Sequence, residues 1–299
     1  MNGEEKDFVS ELSCEAQPIE EIITPVSGCP MEMKSIEYGY TNPIKNKSYV
    51  LGESCYSARL GRTLFVHTRL RSPHMDVQEL ALKIKNGVYF RQKHPTSFYR
   101  NELLKALRRE EHEEFIKQTL GLKSVPKIGI KLLVSFDFLT HKQYQWILKF
   151  AWNNAFVQDD MENLKRLHKD IAGLKLNNLD LYAGTHGVLS LKNNTGHQVE
   201  IFLKEDKFPI PKFIWYVLRS GNKAIAFAIS NRRFMSEKDR QKDSFCKSKC
   251  EEVTWIHSLL ENDNYKDAES GFVLCCEFNE FVTNVSEMPK IASINEFLT

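Results

Sequence analysis

The stretch NLDLYAGTHGVLSL, residues 178–191, sets Asp180, Tyr182, Thr185 and His186 around Gly184 and Gly187, between apolar positions that alternate as in a strand. It reads either as a catalytic cluster or as a turn between two short strands. The glycines allow the turn, Asp180 and Thr185 can bond the local backbone, and Tyr182 can pack with its hydroxyl paired. On that account His186 is a turn residue and not a base.

Working outward, the neighbouring segments carry the same strand signal. LDLYA, HGVLSL, QVEIFL, FIWYVLR and AIAFAIS follow one another, separated by the turns NNTGH and RSGNK. Upstream, Met161, Leu164, Leu167, His168 and Ile171 recur at helical spacing, and Gly173 can end that helix. Leu103, Leu104, Leu107, Phe115, Ile116 and Leu120 predict an earlier amphipathic helix stopped by Gly121. His112, in its charged run, reads as part of a solvated face. SYVLG and TLFVHTRL, joined through CYSARLGR, predict a hairpin that opens the compact part near Lys47. Residues 1–46, acidic and then rich in Pro, Gly and Ser, read as an irregular N-terminal arm, leaving 47–299 as one domain. Antiparallel strands beside two or three helices give an α+β class.

Composition bounds the function. The chain has 299 residues, 42% of them hydrophobic, enough for a sizeable core, and its 41 basic against 39 acidic side chains make +2. A polycation is excluded, so any electrostatic footprint for a nucleic acid must be local. No stretch approaches the ~20 apolar residues that span a bilayer, and no membrane partner is expected. The start, MNGEEKDFVSELSC, lacks the apolar core of a secretory signal, which on its own predicts a cytoplasmic chain. The cysteines point the other way, to a secreted protein whose leader is missing from this sequence.

There are seven: Cys14, Cys29, Cys55, Cys246, Cys250, Cys275 and Cys276. The last four suggest zinc ligands at first sight. Adjacent residues on a strand point to opposite faces, however, so Cys275 and Cys276 do not both turn toward one ion. Two disulfides joining Cys246 and Cys250 to Cys275 and Cys276 suit that divergence; buried free thiols are the other reading, and the pairing stays open.

Four phrases in order, NLDLYAGTHGVLSL, PIPKFIWYVLRSGNKAIAFAISN, CKSKC with VTWIHSL, and SGFVLCCEF, resemble the second half of the DNA/RNA non-specific endonuclease family. The likeness is to its secreted insect branch of salivary nuclease-like proteins and double-stranded-RNA-degrading enzymes. Weaker matches in ESCYSARLGRTLFVHTRL and YRNELLKALRREEHEEFIKQTLG extend it over roughly residues 50 to 290. The resemblance implies a ββα-metal (His-Me finger) nuclease-like fold with a central antiparallel sheet flanked by helices. It also implies a His general base on water and an Asn that holds one Mg²⁺ against the scissile phosphate.

The sequence departs from the family at those two parts. The family's Arg-Gly-His phrase falls on KIGIKLLVSFDF, which matches Gly129 to its glycine, Ile128 to its arginine and Ile130 to its histidine. Isoleucine accepts no proton. The metal-binding Asn falls on Lys149, with Asn153 and Asn154 as nearby substitutes, and the carboxylate of the next helix falls on Lys165. A protonated lysine has no lone pair and repels Mg²⁺.

With Lys127, Lys131, Lys149, Lys165 and Arg166 placed around it, and His168 and Lys169 following, such a cleft would have exchanged a metal for cations that grip phosphate without cutting it. The expectation is a protein that binds DNA and RNA, as duplexes and without sequence preference, with weak or absent endonuclease activity and no cofactor. An active Mg²⁺-dependent endonuclease using a displaced base, His141 or His186, is one alternative. A secreted salivary scaffold that binds another ligand is the second. The sequence does not give an oligomeric state.

Overall fold

The computed structural model describes residues 28–30, 33–42, 47–57, 59–60, 62–70, 88–91, 114, 117–121, 130–133, 155–158, 161–174, 179–204, 207–232, 235–292 and 294–299. Their architecture is α+β: a nine-stranded, almost wholly antiparallel sheet with helices packed on its faces. Its centre is made by β7 (Leu179–Val188), β12 (Pro211–Ser220) and β13 (Lys223–Ser230). β14 (Val273–Cys276) closes one edge, while β3 (Arg62–Leu70), β2 (Lys47–Ser57), β1 (Lys34–Asn42) and β4 (Val88–Arg91) extend the other. One short strand, β15 (Glu296–Phe297), runs parallel to β13.

The apolar runs explain this order. In β12 and β13, Phe213 to Leu218 and Ala224 to Ser230 are buried without interruption, as strands covered on both faces must be. Alternate residues sort into two cores. Leu181, Ala183, Ile214, Tyr216 and Phe227 face α1 (Glu162–Gly173), which contributes Leu164, Leu167 and Ile171. Tyr182, Phe213, Trp215, Val217 and Ala226 face the opposite way, toward α4 (Phe278–Asn284) with Phe278 and Phe281. The turn between β12 and β13 has Gly221 at φ +61 as its first central residue, which suits a tight hairpin.

Two findings correct the sequence reading. First, residues 34–42 are not part of an irregular arm. Their alternating Ile36, Tyr38 and Tyr40 form β1 in the main sheet, paired with β2 from Lys34↔Tyr56 to Asn42↔Lys47. Second, the opening stretch is one continuous strand through Gly184. A Cβ at Gly184 would lie 2.2 Å from Trp215 Cζ2 and 2.4 Å from the Leu64 carbonyl oxygen, so this glycine admits a close approach and makes no turn. Gly187, at φ +66, is where the strand nears its end. The helix α1 ends at Gly173 as expected, with Leu174 after it in extended conformation.

Other expectations stand. The hairpin β2–β3 and the helix α1 fall where periodicity puts them, and residues 117–120 are helical before Gly121 at φ +61. The last four cysteines are crosslinked, Cys246 to Cys276 and Cys250 to Cys275. Cys275 belongs to the core under α1 and Cys276 to the core under α4, so strand alternation sends the two bonds to opposite faces of the sheet. A third disulfide, Cys29–Cys55, ties the segment before β1 to β2; Cys14 lies outside the described residues.

Among the described residues, no helix is long and apolar enough to cross a membrane.

Candidate functional site

The segment matched to a nuclease active site is described in part. β5 (Ile130–Leu133) and β6 (Ala155–Gln158) form a separate antiparallel ribbon, with Ile130 opposite Gln158 and Lys131 opposite Val157, and α1 follows directly in the chain. Gly129, Lys127, Lys149, Asn153, Asn154 and His141 lie outside the described residues. Of the expected cationic set, therefore, Lys131 is placed on β5, and Lys165 and Arg166 on α1.

Helix α1 is fixed to the C-terminal part of the chain by buried polar groups. No side chain caps its first turn; instead the Asn163 amide N–H donates to the Ser270 carbonyl at 3.1 Å, and Asn163 Nδ2 donates to the carbonyls of Asn264 and Gly271 at 2.5 and 2.9 Å. One turn from its end, buried Asp170 accepts from the backbone N–H groups of Ser258 and Leu259 at 3.0 and 3.2 Å. Asp170 thus serves the start of α3 (His257–Leu260), whose own cap residue Ile256 offers no side-chain oxygen, only its carbonyl, which accepts from the Leu259 and Leu260 N–H groups.

The outward side of α1 carries the charge. Lys165 keeps 61% of its side chain exposed and, among the described residues, pairs with Glu162 alone, at 2.5 Å across one turn. A pair of that kind contributes little and is readily exchanged for another anion. Lys169, exposed, stands four residues on and so on the same side of the helix. Arg166 is held by a bond from Nη1 to Asn163 Oδ1 at 2.9 Å. His168 does not join them. It is buried, with Nε2 3.1 Å from the Tyr216 hydroxyl, and burial keeps its pKa well below the ordinary imidazole value.

The opening stretch does carry a polar cluster, completed by residues far away in sequence. The register β2–β3–β7 places Glu53, His67 and Tyr182 side by side, and Asp180 is next along β7 on that face. The His67 ring stacks on Tyr182 at 4.1 Å and 9°. Its Nδ1 meets Glu53 Oε1 at 2.8 Å and its Nε2 faces Asp180 Oδ1 at 3.4 Å. Ionised carboxylates offer only lone pairs, so both contacts are hydrogen bonds when both ring nitrogens carry protons; with one proton, on Nδ1, the ring is an oriented base. His186 has a different partner, Glu287 Oε2 at 2.8 Å, with Phe245 edge-on at 6.0 Å. Asp180 and Tyr182 therefore meet a histidine, but not the one beside them in the sequence. His67 has no local signature, since its partners lie 14 and 113 residues away.

With this geometry in hand, comparison with known proteins gives one partial relative. The chain is 31% identical over 143 residues to the salivary protein Tsal1 of Glossina morsitans morsitans, across 46% of this chain and 33% of that protein. The match thus spans about a third of the relative's length. No family model matches the chain. Among solved structures, a chain of the EndoG/EndoGI inhibition complex aligns over 62% of this chain and 74% of its own, at 12% identity and a TM-score of 0.33.

Proposed function

We propose that the protein binds DNA and RNA without sequence preference, with little or no phosphodiester cleavage, and works outside the cell. The observation that carries this reading is the β5–β6–α1 order itself. It is the strand–strand–helix sequence that the resemblance implies, yet it opens on Ile130 where a base belongs and presents Lys165, Arg166 and Lys169 from its helix. The likeness to a salivary protein and the three disulfides support an extracellular setting.

The residues matched to the metal site do not fit Mg²⁺: Lys149 stands at the Asn position and Lys165 at the carboxylate position, and their ammonium groups repel a cation. On this reading the exposed ammonium groups of α1 neutralise backbone phosphates, release counterions and read no bases. Among the described residues, Glu162 is the one anion that Lys165 gives up in doing so.

Purified protein should retard unrelated DNA and RNA duplexes in a gel, with log affinity falling linearly against log salt. Absence of retardation at low salt would remove the proposal. One observation favours a second reading, residual hydrolysis through a displaced base: Glu53 orients His67 at 2.8 Å, as a carboxylate does for a working imidazole. Plasmid nicking that EDTA abolishes and that His67→Ala removes would establish it.

A further inference from the structure

Three Asn-x-Ser/Thr triplets occur in the chain: Asn46-Lys47-Ser48, Asn193-Asn194-Thr195 and Asn284-Val285-Ser286. Asn46 lies outside the described residues, and the fold treats the other two differently. Asn193 stands at the tip of a hairpin between β8 (Ser190–Lys192) and β9 (Gln198–Glu200). Its Oδ1 accepts from the Thr195 N–H at 3.0 Å, the Thr195 hydroxyl at 2.8 Å and the His197 N–H at 2.9 Å. Backbone N–H groups can only donate, so they fix which end of the carboxamide is oxygen. All three bonds use that oxygen, and among the described residues Nδ2 makes none. Residues 194–198 around it are exposed.

Asn284 is the reverse case. Its Nδ2 donates to the carbonyls of Phe245 and Glu280, both at 3.0 Å, so both amide hydrogens are used and the nitrogen is turned into the protein. A substituent there would displace one of those bonds and enter the contact between α4 and residue 245.

We infer that Asn193 carries an N-linked glycan and that Asn284 stays bare. In the transfer, Nδ2 of Asn193 forms a bond to C1 of an oligosaccharide carried on a lipid diphosphate. The C1–O bond breaks, the lipid diphosphate leaves with its electron pair, and one amide proton is released. The inference rests on the extracellular part of the proposed function, because that donor is met only on the secretory route.

The test separates the two. The full chain, with Asn46→Gln to silence the third triplet, is expressed in insect cells behind a heterologous secretory leader. N-glycans are then released enzymatically in heavy-oxygen water, and the peptides are mass-mapped. Heavy-oxygen Asp at position 193 and unlabelled Asn at 284 are expected, with one mobility step lost in Asn193→Gln and Thr195→Ala but kept in Asn284→Gln and Thr195→Ser. Secreted protein with no label at 193, or with label at 284, overturns the inference whatever the variants do. Expression from the protein's own complete message, scored only for arrival in the medium, tests the extracellular reading by itself.

Discussion

Lowering the pH from 7.5 to 5.0 should destabilise the protein through His168 by an amount that can be stated in advance. The ring is buried against the sheet, bonded to a Tyr216 hydroxyl that burial also keeps protonated, and desolvation holds its pKa well below normal. In the unfolded chain the same imidazole titrates near its ordinary value of about 6.5. Below that pH the unfolded state binds a proton that the folded state refuses. The stability contribution is therefore complete above about pH 6.5 and is lost as pH falls toward the depressed folded value. For a ring still neutral at pH 5.0, the loss is about 2 kcal/mol relative to pH 7.5, or roughly 3 °C in Tm for a chain of this size. The assay is urea unfolding of the oxidised protein at both pH values, with His168→Gln as reference. Glutamine keeps a polar group toward Tyr216 but cannot be protonated, and whatever other groups contribute is common to both proteins. The wild type should lose about 2 kcal/mol more than the variant. Parallel profiles would mean that His168 is hydrated or charged in the folded state, and the two-faced burial described for β12 would be wrong at that point.

Other perturbations have equally definite outcomes. Gly184→Ala drives a methyl into the Trp215 ring and the Leu64 carbonyl, and should cost about 3 kcal/mol or more in urea unfolding; a cost under about 1 would refute the close approach. Asp170→Ala removes the acceptor of the part-buried Ser258 N–H, leaves the buried Leu259 N–H only the Ile256 carbonyl at 3.2 Å, and should cost about 1 to 2 kcal/mol, measured the same way. Because the Cys250–Cys275 loop is nested within that of Cys246–Cys276, replacing the outer pair with serine should cost about 2 kcal/mol, not the about 3.5 of an isolated 30-residue loop. Lys165→Glu with Lys169→Glu should lower the slope of log affinity against log salt by about 2, while Lys238→Glu with Lys242→Glu, exposed on a different helix (Glu237–Asp243), leaves it unchanged. Equal effects from the two pairs would place the nucleic-acid surface elsewhere.

The strands around residues 179–230 are legible in the sequence because burial on both faces leaves long apolar runs such as FIWYVL, which nothing else in a short segment produces. The divergence of Cys275 and Cys276 is legible for an equally local reason, the alternation of a strand. What is not legible is set by distance along the chain. β1 follows a stretch rich in Pro, Gly and Ser residues, and its pairing with β2 and β4, with Cys29–Cys55 beside it, makes it a strand. The opening stretch supplies Asp180 and Tyr182, but the histidine they meet comes from β3, and sheet register alone brings it there. His168 belongs to the helical period of α1, so its place in the core was readable, whereas the charged neighbours Lys165 and Arg166 made it look like part of a basic face.

The nested crosslinks have a consequence for cleavage by proteases. Between Cys246 and Cys276 run loops with many exposed residues, among them Lys247, Glu251, Glu261, Lys266 and Glu269, that proteases can reach. A cut at any peptide bond in that interval leaves the two fragments joined by at least one sulfur bridge, and the bridges enter the sheet from opposite sides. The nicked molecule keeps its edge strand β14 stapled in place, so two bands on a reducing gel and one on a non-reducing gel would accompany an undiminished fold.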